Sequence, residues 1–264
     1  MKTVKNIADK MEPIPNMNSA PVGIWYNTNF ITAIDWGVRF PVSIFNSACQ
    51  GVNIDHPLKN QLRELRRNIE YSAETFDKVV DLEKYLPKRK KGILLKRISN
   101  TTEDIKKNLN TMIGVDCWAI ANLVLDNCPY GSYIALEDHE CLKNTFTRDY
   151  DDDKWMKDMH LDLLYWVMCN LAKRKGIKMV YVDKTNSSIT CPSCGNIDKK
   201  ARDKDAHVYR CKKCEFVAND DITAAMNIYK RAEYTIFGQS YMNMKTAASC
   251  IPKQPATYIP MLPQ

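Results

Sequence analysis

Residues 191–214 read CPSCGNIDKKARDKDAHVYRCKKC, a stretch with two C-x2-C pairs separated by sixteen residues. The four thiols belong to Cys191, Cys194, Cys211 and Cys214. Two matched pairs of this kind are typical of a tetrahedral zinc site with four protein ligands, which leaves no coordination position open for catalysis. We therefore predict one structural Zn²⁺ in a small ribbon. Unbound thiols and a redox-active C-x-x-C pair are the alternatives.

The composition of the whole chain indicates a globular protein, and its pI near 8.8 mildly favours a polyanionic partner. The chain has 264 residues, of which 45% are hydrophobic, so one large domain or one domain with a small module is expected. Six further cysteines lack a disulfide-framework spacing, which favours reduced thiols and a cytoplasmic location. No apolar stretch has the length of a membrane span, and the N-terminus lacks a secretory signal. The net charge of +7 mildly favours nucleic acid as the partner.

The hydrophobic pattern changes repeatedly between the strand period and the helix period. Strands are predicted at 30–35, 40–45, 133–137 and 177–182. Helices are predicted at about 57–85, 102–125, 154–175 and 221–231. Residues 1–29 and the proline-containing segment 237–264 are predicted to be irregular. Strands that interleave with helices predict an α/β fold, in which helices pack on a mixed sheet.

Three carboxylates lie at the ends of predicted elements. Asp35 ends the first strand, Glu137 ends a later strand, and Asp221 begins the helix that follows the ribbon. Three converging carboxylates can hold two divalent cations, and their oxygen ligands suit Mg²⁺ or Mn²⁺. The alternative is that each is an ordinary surface or capping carboxylate, with Asp221 interacting with the N-terminus of its helix.

Basic side chains form candidate contacts to a phosphate backbone. They lie in the first long helix, in the segment before Gly92 and in the ribbon loop. The candidates are Arg63, Arg66, Arg67, Lys88, Arg89, Lys90, Lys91, Lys199, Lys200 and Arg210. Acidic residues are interleaved with them, so a solvated surface is the alternative for each.

The ribbon and its flanks resemble a known family. Residues 187–195, 209–214 and 221–228 resemble the C-terminal signature of TnpB/OrfB-type transposon nucleases, which are related to compact type V CRISPR effectors. Residues 33–38 and 134–138 resemble the first two nuclease motifs of that family. The resemblance covers about residues 30–232. It implies a RuvC-like nuclease of RNase H fold, in which the zinc ribbon is inserted before the last catalytic aspartate.

On this resemblance, Asp35, Glu137 and Asp221 are the metal-binding catalytic residues, and two Mg²⁺ or Mn²⁺ ions would support hydrolysis of DNA. Asp220 falls one place before the matching position. The resemblance places the nuclease domain at 30–183 and 219–236, and the zinc ribbon at 184–218.

The chain departs from the family in two ways. Only about 29 residues precede the first strand, whereas family members carry a long N-terminal region that binds guide RNA. Guide RNA is therefore left open as a partner, and a partner protein or a homodimer is an alternative source of the missing functions. In addition, His207, Glu215 and Thr223 stand where the family often has Arg, Gly and Asn.

Two other functions remain alternatives to cleavage. The first is a non-cleaving DNA- or RNA-binding protein, either a repressor or a partner subunit of a nucleoprotein complex. The second is a decayed transposon fragment that folds poorly. The presence of all three acids favours the nuclease, because a binding protein does not need them.

Overall fold

The computed structural model describes residues 27–37, 40–81, 88–137, 161–183, 185–203, 205–250 and 257–258. These residues fall into two compact units. One unit is the helical segment Pro57–Cys117, and the other combines Met1–His56 with Trp118–Gln264. Most of the segment predicted to be irregular at 1–29, and the start of the helix predicted at 154, lie outside the described residues.

The larger unit contains a six-stranded mixed sheet with the order β5-β4-β1-β2-β3-β9. Its strands are β1 (Ile31–Asp35), β2 (Val42–Asn46), β3 (Gly51–Ile54), β4 (Tyr133–Glu137), β5 (Lys178–Val182) and β9 (Thr257–Tyr258). The β1–β2 and β2–β3 pairs are antiparallel, and the β1–β4, β4–β5 and β3–β9 pairs are parallel. The predicted α/β fold is therefore confirmed.

The sequence pattern missed strand β3. Its four residues, GVNI, contain glycine and asparagine, which have low strand propensity. Pairing with β2 nevertheless buries Gly51, Asn53 and Ile54. Tertiary contacts outweigh local propensity at this position.

One face of the sheet is covered by helix α4 (Asp220–Phe237), which packs mainly on β1 and β2. Ile222, Ala225, Met226 and Tyr229 recur at helical spacing, and all four are buried. The helix continues six residues beyond the predicted end at 231. It ends at Gly238, whose positive φ of 75° supplies the left-handed C-cap.

A second sheet forms the ribbon, in which strands β6 (Arg202–Asp203), β7 (Val208–Arg210) and β8 (Val217–Asn219) pair in antiparallel order. Strand β8 leads directly into α4. Helix α3 (Leu161–Arg174) precedes β5 and lies within the range predicted for it.

Helices α1 (Lys59–Asp81) and α2 (Lys88–Asp126) account for the helical unit, and α2 continues into the larger unit. Helix α2 begins about fourteen residues before the predicted start at Thr102. The hydroxyl of Thr102 donates to the carbonyl of Ile98 (2.8 Å). A threonine that bonds within the preceding turn need not cap a helix, so the predicted helix start at 102 was wrong.

The segment after Phe237, which was expected to be irregular, contains helix α5 (Met244–Cys250) and strand β9. Met244 and Ala247 are buried in the core beneath α4. The buried carboxylate of Glu233 accepts hydrogen bonds from the Ser240 hydroxyl (2.6 Å) and the Tyr241 N–H (3.2 Å). These contacts hold residues 240–241 to α4, whereas the prolines at 252, 255, 260 and 263 that had indicated irregular chain lie outside the described residues. Among the described helices, none has the length and apolar character needed to cross a membrane.

Candidate functional site

Two of the predicted acids lie side by side at one edge of the sheet. Strands β1 and β4 are parallel, and Ile34 pairs with Leu136. Asp35 follows Ile34 at the end of β1, and Glu137 follows Leu136 at the end of β4. Both carboxylates therefore lie at the carboxyl ends of neighbouring strands. This arrangement follows from the parallel register.

The third acid reaches the same region through helix α4. The Asn219 side chain caps this helix by accepting hydrogen bonds from the N–H groups of Asp221 (3.1 Å) and Ile222 (3.2 Å). This cap fixes the first turn of the helix, which carries Asp221. Only 8% of Asp221 is exposed.

The three acids lie close enough for their negative charges to affect one another. The pKa of Asp35 is raised well above its ordinary value, first by burial and then by the negative charges of Glu137 and Asp221. Arg202 opposes this shift. Carboxylates that repel one another in this way bind a divalent cation favourably, because the cation offsets their charge.

The acids form a wider arrangement than a closed metal cage. Within the described ranges, the four cysteines are the only group of three or more candidate ligands whose binding atoms all lie within 4.8 Å of one another.

Arg202 and Asp220 join this site, although the sequence interpretation had not assigned either to it. The Arg202 guanidinium donates from Nε to Asp220 Oδ2 (2.7 Å) and from Nη2 to Asp221 Oδ1 (3.1 Å). The side chain of Asp220 is 1% exposed. A buried carboxylate needs such a partner. The adjacent acids at 220 and 221 and the arginine in the ribbon were visible in the sequence, but only the fold brings them together.

The segment that leads into the ribbon also contacts the acidic site. The hydroxyl of Ser187 donates to Glu137 Oε1 (2.8 Å). The side-chain amide of Asn227 in α4 donates to the carbonyls of Ser187 and Thr190, both at 2.7 Å. The segment before the ribbon is therefore hydrogen-bonded both to β4, which carries Glu137, and to α4, which carries Asp221.

The four predicted zinc ligands form one cluster. The Sγ atoms of Cys191 and Cys214 are 3.6 Å apart, as are those of Cys194 and Cys211. Four sulfurs bound to zinc at about 2.3 Å would lie about 3.8 Å from one another in a tetrahedron. The donor set and the spacing therefore fit a zinc ion with four thiolate ligands.

The thiols differ in their environments. Burial raises the pKa of Cys191. Burial also acts to raise the pKa of Cys214, but hydrogen bonds from the Phe216 N–H and the neighbouring cysteines outweigh it and lower this pKa to about 7. A thiolate is the species that binds a metal.

The two knuckles have the same backbone hydrogen bonds. The N–H of Gly195 donates to the Cys191 carbonyl (2.8 Å), and the N–H of Glu215 donates to the Cys211 carbonyl (2.9 Å). Gly195 has a φ of 74° and Glu215 has a φ of 60°. Glu215 therefore occupies a left-handed position that favours glycine.

The other two departures from the family pattern have different environments. His207 is exposed with a φ of 56°. Thr223 is fully buried, and its hydroxyl donates to the Asn219 carbonyl (2.8 Å). Thr223 therefore bonds to the backbone of the residue that caps helix α4.

The predicted nucleic-acid contacts are distributed over both units. Arg63, Arg66 and Arg67 lie on α1, and Arg66 bonds to Glu70 of the same helix (3.1 Å). The basic cluster at 88–91 forms the first turn of α2. Lys199, Lys200 and Arg210 are exposed on the ribbon.

Comparison with known proteins supports the same family at several levels. Residues 167–228 match the family model described as Cas12f1-like, TNB domain. A 57-residue segment is 40% identical to the CRISPR-associated endodeoxyribonuclease Cas12f1 of Sulfoacidibacillus thermotolerans, covering 22% of this chain and 13% of that protein. The predicted resemblance to compact type V and TnpB-like RuvC nucleases is thereby confirmed.

Solved structures confirm the fold over a larger part of the chain. The chain is similar to one in a CRISPR-Cas12f ternary complex, with 21% sequence identity and a TM-score of 0.57. The alignment covers 79% of this chain and 40% of the chain in the complex. The mini-RNA-guided endonuclease CRISPR-Cas_phi3 is similar as well, with 14% sequence identity and a TM-score of 0.52. The alignment covers 88% of this chain and 46% of that endonuclease. This chain thus spans less than half of either relative.

Proposed function

We propose that this RuvC-like chain is a metal-dependent endonuclease that hydrolyses DNA phosphodiester bonds. One observation carries the proposal: Asp35 and Glu137 end the neighbouring parallel strands β1 and β4, and Asp221 at the start of α4 lies close enough for its charge to raise the pKa of Asp35. The endodeoxyribonuclease that shares 40% identity with part of the chain supports the reaction class.

In the proposed mechanism, Asp35, Glu137 and Asp221 would hold two Mg²⁺ or Mn²⁺ ions. Such ions would lower the pKa of the attacking water and stabilise charge at the leaving oxygen. The protein holds the acids at the sheet edge, and Ser187 keeps the Glu137 carboxylate in place through its hydrogen bond. Arg202 lowers the net negative charge that an incoming phosphate would meet.

We propose that Cys191, Cys194, Cys211 and Cys214 bind one structural Zn²⁺. The four thiols offer the donor set of such a site. The ion would stabilise the ribbon, from which strand β8 leads directly to Asp220 and Asp221. A zinc-dependent ribbon would therefore help to position the last catalytic carboxylate.

We further propose guide RNA as a partner of the nuclease. One solved relative is described as an RNA-guided endonuclease, and the exposed basic residues at 88–90 could contact a phosphate backbone. A transposon-associated role follows from the TnpB-like motifs. A partner protein or a second copy of this chain is an alternative source of RNA-binding surface.

The test is cleavage of single- and double-stranded DNA with and without Mg²⁺, in the presence of any RNA that co-purifies with the protein. We expect Asp35→Asn, Glu137→Gln and Asp221→Asn each to reduce cleavage by at least about 10³-fold, because each removes several kcal/mol of charge stabilisation. Asp126→Asn, which changes an exposed acid at the end of α2, should cleave normally. Equal background cleavage by wild type and Asp35→Asn would refute catalysis. Tight binding without cleavage would instead support the non-cleaving alternative.

A further inference from the structure

A row of polar side chains extends from the acidic site across the sheet. Asp35 on β1 pairs with Ser43 on β2, and Ser43 pairs with Asn53 on β3. Residues that face one another on neighbouring strands project from the same face of a sheet. The three side chains therefore lie in one line on one face.

The face of this row is the one covered by α4. Phe45 lies two residues after Ser43 and therefore projects on the same side. Its ring packs edge-on against Tyr229 of α4, with ring centroids 5.3 Å apart. Ser43 and Asn53 thus project towards the side of the sheet that carries Asp221.

Ser43 and Asn53 are fully buried, and both have 0% exposure. Ser43 Oγ and both amide atoms of Asn53, Nδ2 and Oδ1, nevertheless have no hydrogen-bond partner among the residues that the structure describes. Asn227 and Glu233, which are buried polar residues of α4, both have hydrogen-bond partners. Polar groups of folded proteins that have no protein partner normally bond to ordered water or serve a function.

The row places Ser43 on the strand next to Asp35 and Asn53 one strand further away, and this position indicates which function the unpaired atoms serve. A carboxylate can only accept hydrogen bonds, whereas the Ser43 hydroxyl and the Asn53 amide can both donate and accept. Magnesium in proteins usually keeps several water ligands. Residues that bond to metal ligands or metal-bound water orient the site and raise its affinity.

We propose that Ser43 and Asn53 are positioning residues for the cation that binds at Asp35. They hold ordered water between α4 and the sheet, and this water bonds to the Asp35 carboxylate and to the hydration shell of the cation. The inference rests on the proposed function, because it requires a divalent cation at Asp35. It adds to that function a second group of residues, from strands β2 and β3.

The test measures Mn²⁺ binding to the zinc-loaded full chain by the loss of the free Mn²⁺ signal in electron paramagnetic resonance, without a cleavage assay. Ser43→Ala and Asn53→Leu replace the unpaired groups with apolar ones of similar size. We expect each variant to bind Mn²⁺ about 10-fold or more weakly than wild type. Thermal unfolding without Mn²⁺ should change little, because neither side chain bonds to another group among the described residues.

Ser132→Ala is the matched control. Ser132 is also fully buried with an unpaired Oγ, but it directly precedes β4, at the strand end opposite Glu137. Its replacement should leave Mn²⁺ affinity unchanged. Asn53→Ser, which keeps a hydroxyl, should recover part of the affinity that Asn53→Leu loses.

The outcomes separate this inference from the proposed function. If Asp35→Asn abolishes Mn²⁺ binding while Ser43→Ala and Asn53→Leu bind like wild type, the inference is wrong and the cation site stands. If wild type shows no Asp35-dependent Mn²⁺ binding, both are wrong. If Asn53→Leu fails to fold, Ser43→Ala decides the question, because it removes a single oxygen atom.

Discussion

Glu215 and Gly195 occupy equivalent positions in the two cysteine knuckles, yet only one of them is glycine. Both have a positive φ and both donate to the carbonyl of the first cysteine of their knuckle. A side chain in the left-handed region carries a conformational cost that glycine avoids. Glu215 therefore retains strain at a turn that holds the proposed metal ligands.

We predict that Glu215→Gly stabilises the zinc-loaded protein by about 1 kcal/mol, because it relieves this strain. Thermal unfolding at a fixed zinc concentration measures the effect. The reverse change in the first knuckle, Gly195→Glu, should destabilise the protein by a similar amount. An unfolding temperature for Glu215→Gly at or below that of wild type would contradict the interpretation of strain.

At the same scale, Asp35 makes the stability of the cation-free protein depend on pH. Its pKa in the folded state is raised above the ordinary value of 3.8, mainly by burial and then by Glu137 and Asp221. An acid with a raised pKa supports the fold while it is protonated. That contribution is lost as the pH rises through the folded-state pKa.

We therefore predict that Asp35→Asn raises the unfolding temperature of the cation-free protein at neutral pH, and that the gain shrinks towards acid pH. Added Mg²⁺ should stabilise wild type and leave Asp35→Asn almost unchanged. Scanning calorimetry of both proteins over a pH series, with zinc held constant, provides the measurement. A variant less stable than wild type at neutral pH without Mg²⁺ would argue against repulsion among the three acids.

At the scale of elements, helix α4 connects the ribbon, the sheet and the C-terminal segment. Its N-terminal cap is Asn219, the last residue of β8, and its buried Glu233 bonds to the segment that follows Gly238. Asn227 bonds to the residues that precede the first knuckle. One helix therefore sets the position of Asp221 relative to both the ribbon and β1.

We predict that Asn219→Ala destabilises the protein by about 1 kcal/mol, because two N–H groups of the first helical turn lose their acceptor. Cleavage should fall more than stability alone explains, since Asp221 is one of those two residues. Asn219→Ser retains a capping oxygen and should preserve both properties. Chemical denaturation and single-turnover cleavage measure the two effects, and a fully active, fully stable Asn219→Ala would exclude the proposed role of the cap.

At the scale of the whole molecule, hydrogen bonds join the ribbon that carries the proposed zinc site to the acidic site. The ribbon supplies Arg202 to Asp220 and Asp221, and the segment before it supplies Ser187 to Glu137. Loss of the ribbon would remove partners from buried acids, which is strongly destabilising. A zinc ion with no open coordination position can in this way affect catalysis.

We predict that removing zinc with a chelator lowers the unfolding temperature and abolishes Mg²⁺-dependent cleavage, because the ribbon loses its order. Cys194→Ala should reproduce both effects. Cys169→Ala changes a partly buried thiol outside the cluster and should behave like wild type. Cleavage that survives complete zinc removal, confirmed by metal analysis, would show that the acidic site does not depend on the ribbon.

The sequence alone predicted the α/β class, the main strands and the cysteine ribbon, and the resemblance to known nucleases implied the order of the motifs. Local signals sufficed for the first three features, because cysteine spacing and alternating apolar residues depend on neighbours in the chain. The same signals failed at β3, at the start of α2 and in the C-terminal segment. Pairing with β2 outweighed local propensity at β3, and burial in the main core did so at α5. In α2, the Thr102 hydroxyl bonds within the helix instead of capping its start.

For the candidate site, the sequence supplied Asp35, Glu137 and Asp221 and the four cysteines. Only the tertiary structure decided that Arg202 bonds to Asp220 and Asp221, and that Ser43 and Asn53 form a row with Asp35. The physical reason is that strand register and helix packing bring together residues that lie far apart in the chain. A single sequence records the type of each side chain, whereas its charge environment and its hydrogen-bond partners depend on the fold.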